Sequence, residues 1–343
     1  MDVDSFIAIA WSDHADHAAA VAERLGASLH LISTPAQLAP YASIATHVFG
    51  EHLGRWNDGI ALLGAMRQLR AYDASEAAES PLRRGCAVLR MTAAAVAGDR
   101  SRSKGRVSAK ARDGVEPVDS ESDSDAAPAF DLPDDMPADE RVSVLASAAA
   151  ALAGREAFGA AINIYAQAVA LADQGLPAAS PASPASPASP ASPASPTFRT
   201  LAVGGNNLAA ALERQAERTA AETAGMLLAA ESGLKYWKLA GTWLEEERAE
   251  FRLAHSRLAA GLAQSAITSA ERCIAICNAH NAPTIERFFG LAALALAQRA
   301  AHRIADFEAS RASAEALFAQ LPIDDRDWCA EMLAQLRASP PAA

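Results

Sequence analysis

Apolar positions recur along most of this chain at the spacing of helices, and the pattern is clearest between Thr242 and Ala279. In T-W-L-E, Thr242 to Glu245, a threonine is followed three residues later by a glutamate that can reach back to it, so a helix is predicted to start at Trp243. Leu244, Phe251, Ala254 and Leu258 then fall on one helical face. Gly261 breaks the run, and Ala266, Ala270, Cys273, Ile274 and Cys277 give a second helix with a narrow face of small residues. Two such helices pack back to back as a tight hairpin.

One hairpin cannot bury both of its faces, so copies are expected. Upstream, Leu201 to Arg214 carries N-N-L-A, and T-A-A-E at Thr219 to Glu222 opens a helix that runs to Leu239 and stops at Gly241. Downstream, Pro283 is a first-turn proline before Phe288, Phe289, Leu291, Leu294 and Leu296, and a partner helix spans about Ile304 to Gln320. First helices start about 41 to 44 residues apart. Asp324 with Asp327 is expected to cap a last helix through Trp328, Met332, Leu333 and Leu336 that covers the open end of the array. Nearer the N-terminus the pattern predicts a helix from Asp4 to Arg24 and a hairpin over Ala39 to Tyr72 behind Thr34-Pro35. A partnerless helix should open at Ser80-Pro81 and end near Val96, and another hairpin should have helices to Ala153 and from Ala157 to Asp173.

In H-L-G-R-W-N-D-G-I-A-L-L, Gly54 resembles the turn glycine of the tetratricopeptide repeat (TPR) family, Trp56 the aromatic that opens the second helix, Gly59 the small residue where helices touch, and Leu63 the bulky residue a turn later. Phe158, Ala161, Tyr165 and Ala168 are similar to the same second-helix series. Arg257 and Ala263 depart from the family pattern, which has aromatic residues there. The resemblance implies an all-α, TPR-like alpha-alpha superhelix, a solenoid of antiparallel helix hairpins, here carrying two disordered insertions. Composition agrees with the all-α part: 51% hydrophobic but only 6% aromatic leaves alanine and small aliphatics, which favour close helices over sheet.

The insertions stand out by composition. Residues 100–112 hold six basic residues and no acid, whereas 113–140 hold eleven acids and no base. From Pro177 to Thr197 the chain repeats Pro-Ala-Ser, which forbids both helix and sheet. The expected organisation is an N-terminal lobe over 1–97, a disordered charged insertion over 98–138 and a hairpin over 139–176. A low-complexity linker over 177–197, an array over 198–323 and a capping helix over 324–338 follow.

Net charge narrows the function. At −11 the protein lacks the basic surface that a general nucleic-acid binder or a ligand of anionic membranes needs. The longest uncharged apolar stretch, Val142 to Gly154, is too short to span a bilayer. The N-terminus has no basic leader region, and the cysteines at 86, 273, 277 and 329 form no disulfide framework or CxxC pair, so a cytoplasmic location is expected.

Candidate chemistry is sparse. His14 and His17 lie three apart without a third ligand at evident spacing, and His47, Glu51 and His52 match no zinc-protease motif. In an α-helix Glu51 and His52 point about 100° apart, so neither metal nor catalysis is expected there. No nucleophile elbow, dinucleotide loop or Walker sequence is present, so the chain is expected to be no enzyme and to need no cofactor. The resemblance implies instead a peptide groove lined by first helices. Carried onto this sequence, its positions are Asn206, Asn207, Arg252, His255 and Arg287, with Arg248 one turn from Arg252. Amides and guanidinium forks suit an acidic peptide or a C-terminal carboxylate. The expected function is a non-catalytic protein-protein interaction module, an adaptor or scaffold. Self-association as a homo-oligomer and a cryptic enzyme are the alternatives.

Overall fold

A computed structural model describes residues 1–113, 132–133, 135–175 and 196–338. Among these there are thirteen α-helices and no strand, so the protein is all-α. No described helix is long and apolar enough to cross a membrane. The chain divides into two compact units, Met1–Pro177 and Ala178–Ala343, and the division falls at the start of the Pro-Ala-Ser stretch. Residues 176–195, most of that stretch, and 114–131 with 134 of the acidic half lie outside the described residues.

The first unit holds α1 (Val3–Ala27), α2 (Leu38–His47), α3 (Trp56–Met66), α4 (Glu76–Asp113), α5 (Ala138–Gly154) and α6 (Phe158–Gly175). Leu38, Tyr41, Ile44, Leu63, Met66, Leu82 and Leu89 form its buried centre, each such side chain contributing about 1.5–3 kcal/mol by leaving water. Tyr41 stacks on Phe6 at 5.8 Å and donates its hydroxyl to the Leu25 carbonyl, which docks α1 on α2. Gly59 is where helices touch: a Cβ there would stand 2.8 Å from both Leu89 Cδ1 and Phe49 Cβ.

Two expectations for this unit are corrected. α4 opens at Glu76 rather than at Ser80-Pro81, with the Ser75 hydroxyl accepting from the Ala78 amide at 3.3 Å. Pro81 sits inside the helix, early enough that only one carbonyl, that of Ala77, loses its amide partner. Nor is α4 partnerless or finished near Val96. It packs on α2, α3 and α5, its backbone stays helical to Asp113, and Arg83 pairs with the buried Glu140 of α5 at 2.7 Å.

The second unit stacks three hairpins, α7 (Pro196–Glu213) with α8 (Ala220–Ala240), α9 (Trp243–Ala259) with α10 (Ala263–Ala279), and α11 (Thr284–Ala300) with α12 (Ile304–Phe318); α13 (Ile323–Arg337) closes the series. α7, α9 and α11 pack side by side. The capping boxes at Thr219 and Thr242 form as the sequence implies, each threonine amide donating to its glutamate at 2.8 Å. Three hairpin tips share one geometry: Glu156, Gly261 and His302 take the left-handed conformation, and the following amide bonds back to a carbonyl five residues earlier, as in Ala157 to Leu152, Leu262 to Arg257 and Arg303 to Gln298.

Pro283 and Pro322 are N-caps and not first-turn residues, so Asp324 lies within the first turn of α13 instead of capping it. Its negative charge still suits the helix N-terminus. In α13 the buried positions are Cys329, Leu333 and Leu336, while Trp328 is 78% exposed and so does not help cover the end of the array.

Candidate functional site

The six predicted groove residues fall on α7, α9 and α11, but most are already engaged. Arg252 donates to Glu213 on α7, whose other oxygen accepts from Ser256 at 2.5 Å, and Arg248 donates to Glu286 on α11. Burial outweighs Arg252 and lifts the Glu213 carboxyl above its ordinary pKa. The Arg248 guanidinium is itself held above its usual value by the Glu286 carboxylate. His255 lies against the Phe251 ring at 4.5 Å, and its Nε2 is buried without a partner. Burial, then the Arg252 charge, pushes its pKa down to about 4, so the ring is neutral. Asn206 faces α8, where a Cβ on Gly233 would stand 2.5 Å from its Oδ1. Only Asn207 and Arg287 are exposed and carry no ion pair to a described residue. The basic floor read from the sequence is thus largely a ladder of compensated charges joining neighbouring first helices.

The acids of α9 are the corresponding correction. The sequence suggests a solvated network for Glu245, Glu246, Glu247 and Glu250, yet Glu247 and Glu250 are each 1% exposed, because α9 is enclosed by α7, α8, α10 and α11. Glu250 faces Lys238 of α8 at 3.5 Å.

Apolar surface and positive charge also meet between other helices. A cleft of ≈ 470 Å³ between α8, α9 and α10 has Leu234, Leu239 and Leu253 on its floor. Lys235, Lys238, Arg257 and Arg272 rim it with Glu231; Lys238 pairs with Glu246 and Glu250, and Arg257 with Glu231. Spacing along one helix could not reveal it, since its residues come from three.

Two clusters of metal-capable side chains also form. In the second unit Cys273 donates its thiol to Glu247 Oε1 at 2.9 Å, with Cys277 beside them, and all three are buried. Glu247 Oε2 has no hydrogen-bond partner among the described residues. Burial pushes the Glu247 carboxyl up to about 7, and the neighbouring thiol and carboxyl raise the Cys273 thiol.

In the first unit His14, His47 and His52 come together with their ring nitrogens within 4.8 Å of one another. This overturns the expectation that the histidines do not converge. Val48–Leu53 is a π-helical segment closing α2, and Gly54, at φ +62°, ends it. Residues five apart differ by about 140° on an α-helix but lie about one turn apart where bonds run from i to i+5, so His47 and His52 share a face. Arg155, at the end of α5, donates to the His52 carbonyl at 3.0 Å and holds the widened turn. The sequence carried one signal for this, the glycines at 50 and 54 that bracket Glu51 and His52.

Fold and sites together define an all-α protein of antiparallel helix hairpins with a basic cleft and two polar clusters. No protein-family model matches the chain, and a search of curated proteins finds no significant match.

Proposed function

We propose that the chain is a TPR-like binding module with no catalysis of its own, which works in the cytoplasm and holds an acidic peptide segment of a partner protein. The observation that carries this reading is the cleft between α8, α9 and α10, which places three leucines beside four basic residues in a protein of net charge −11, with Lys238 and Arg257 held in ion pairs to Glu246, Glu250 and Glu231. An acidic segment with one or two apolar anchors complements both features, and such anchors supply most of the affinity in a groove of this kind. The shared tip geometry of the hairpins and the side-by-side first helices support the solenoid reading. Asn207 and Arg287 are exposed on α7 and α11, outside the lining of the cleft. Four buried, unpaired cysteines support a reducing compartment.

The test is fluorescence anisotropy with leucine-containing Asp/Glu-rich peptides and their lysine-substituted counterparts, on the full chain and on Lys235→Glu/Arg272→Glu. Both proteins must first show the same helical circular dichroism. The acidic peptides should bind the native chain and weaken at least about tenfold with the double reversal, in a salt-dependent way. Equal binding of both peptide classes, or no change on reversal, overturns the reading.

A second reading is favoured by one observation. Ile323 and Trp328 of α13 are 75% and 78% exposed, an apolar surface suited to self-association. Light scattering on Trp328→Glu decides it: a dimer that becomes a monomer supports this reading, and an unchanged mass removes it.

A further inference from the structure

The three histidines of the first unit carry an inference independent of the peptide cleft. Their rings form a nearly equilateral trio, with centroids 4.8 Å apart for His14–His47, 5.0 Å for His14–His52 and 4.8 Å for His47–His52, each pair meeting edge to face. Two of the rings have their outer nitrogens fixed by acceptors. His14 Nδ1 lies 2.6 Å from the Trp11 carbonyl, so that nitrogen is the donor and carries a proton. His47 Nδ1 lies 2.8 Å from Glu51 Oε2 and donates in the same way. In the neutral rings the Nε2 atoms of both are therefore left as bare lone pairs.

His47 Nε2 accepts from His52 Nε2 at 3.1 Å, a hydrogen bond whose proton a bound cation would displace. Two nitrogens bound at 2.0–2.1 Å to one metal ion are separated by about 3.0 Å at a right angle and about 3.4 Å at the tetrahedral angle. The observed separation lies in that interval. The carboxylate behind His47 and the carbonyl behind His14 are the outer partners that metal-bound histidines characteristically have, because they fix the tautomer and raise the basicity of the inner nitrogen. All three rings are half-buried, and Trp11 covers the trio on one side, 5.2 Å from His14 and 5.1 Å from His47.

We propose that His14, His47 and His52 form a binding site for one divalent ion of the zinc class, with Glu51 and the Trp11 carbonyl as orienting partners and a further coordination position open to water or an external ligand. Three imidazoles without a thiolate suit zinc and its late first-row neighbours rather than calcium or magnesium, which prefer oxygen. Two elements far apart in sequence supply the set, so the ion would also clasp the N-terminal helix to the π-helical turn. The bend of α1 at His17 (φ −133°, ψ 38°), three residues after His14, lies next to that clasp.

The experiment uses the full chain without a histidine tag, stripped with a chelator and titrated with Zn²⁺ by calorimetry and with Co²⁺ by visible absorption. One ion should bind per chain with micromolar or tighter affinity, and bound Co²⁺ should give the intense bands of a four- or five-coordinate nitrogen site. His14→Ala, His47→Ala and His52→Ala should each weaken Zn²⁺ by about 100-fold or more, and Glu51→Gln by about 10- to 100-fold. Cys273→Ser/Cys277→Ser should leave binding unchanged. Four outcomes overturn the proposal: no binding tighter than about 0.1 mM, a weak six-coordinate Co²⁺ spectrum, unaltered affinity in His14→Ala, or loss of the ion with the cysteines. The Co²⁺ spectrum of the native chain keeps the test decisive even if a histidine variant misfolds.

Discussion

The histidine trio of the first unit and the Glu247–Cys273–Cys277 cluster of the second each place three metal-capable side chains within 4.8 Å, yet their surroundings give them opposite characters. The histidines are partly exposed, and His14 and His47 have their outer protons directed to Trp11 and Glu51, so their inner nitrogens are left as acceptors, that of His47 toward His52 Nε2. The carboxyl–thiol cluster is sealed in the core, where burial favours the protonated forms of Glu247 and Cys273 and a thiol already donates to the acid. Proximity of ligand types therefore does not make a site. What separates the two is where the protons sit and whether solvent can reach the centre.

The same contrast sets the expected size of perturbations. The largest belongs to the buried acids of the second unit: Arg252→Ala leaves Glu213 without its charge partner and should cost about 3 kcal/mol in urea unfolding. Arg55→Ala, which removes an exposed pair with Asp58 in the first unit, should cost under about 1 kcal/mol. Equal costs would break the comparison. Next, Cys273→Ala deprives Glu247 of its donor and should cost about 2 kcal/mol, while His14→Ala in chelator should cost less than about 1 kcal/mol because its ring is half-exposed.

The pH dependence sharpens the contrast further. Because the folded Glu247 carboxyl sits at about 7, above its unfolded value, the native state holds the extra proton as pH falls from neutral toward about 4.3, the unfolded range. Its contribution is complete below the unfolded pKa and is lost as pH rises through 7. Native stability relative to Glu247→Gln should therefore rise on acidification, and a flat difference between the two unfolding curves would place the carboxyl in a wetter site. The smallest effect is at Gly154, where a Cβ would stand 2.3 Å from Glu51 Cγ and displace that side chain from His47. Gly154→Ala should lower Zn²⁺ affinity by about tenfold while leaving stability within about 0.5 kcal/mol, since alanine is the better helix former.

Much of the architecture was legible because its signals are local. A capping box needs only four consecutive residues, and those at Thr219 and Thr242 appear in the structure where the sequence puts them. The small-residue face of α10, with Ala266, Ala270, Cys273 and Cys277, is buried as its periodicity implies. Local signals misled where a neighbouring element intervened. Ser80-Pro81 looked like a helix start, but Ser80 instead donates to Glu140 of α5, sixty residues on. The acids of α9 looked solvated because adjacent arginines offered themselves, while the actual partners of Arg248 and Arg252 lie on two other helices.

By itself, then, the sequence determined the all-helical class, most of the helices and the capping boxes at Thr219 and Thr242, since each depends on residues close enough along the chain to act before any long-range contact forms. Tertiary structure alone decided which charges are compensated and which are exposed, and where a basic cleft opens between three helices. It also decided that one π-helical turn, braced by Arg155 from another helix, brings His47 and His52 to His14. Those outcomes depend on burial and on the rotation of one element against another, which no spacing within a single helix encodes.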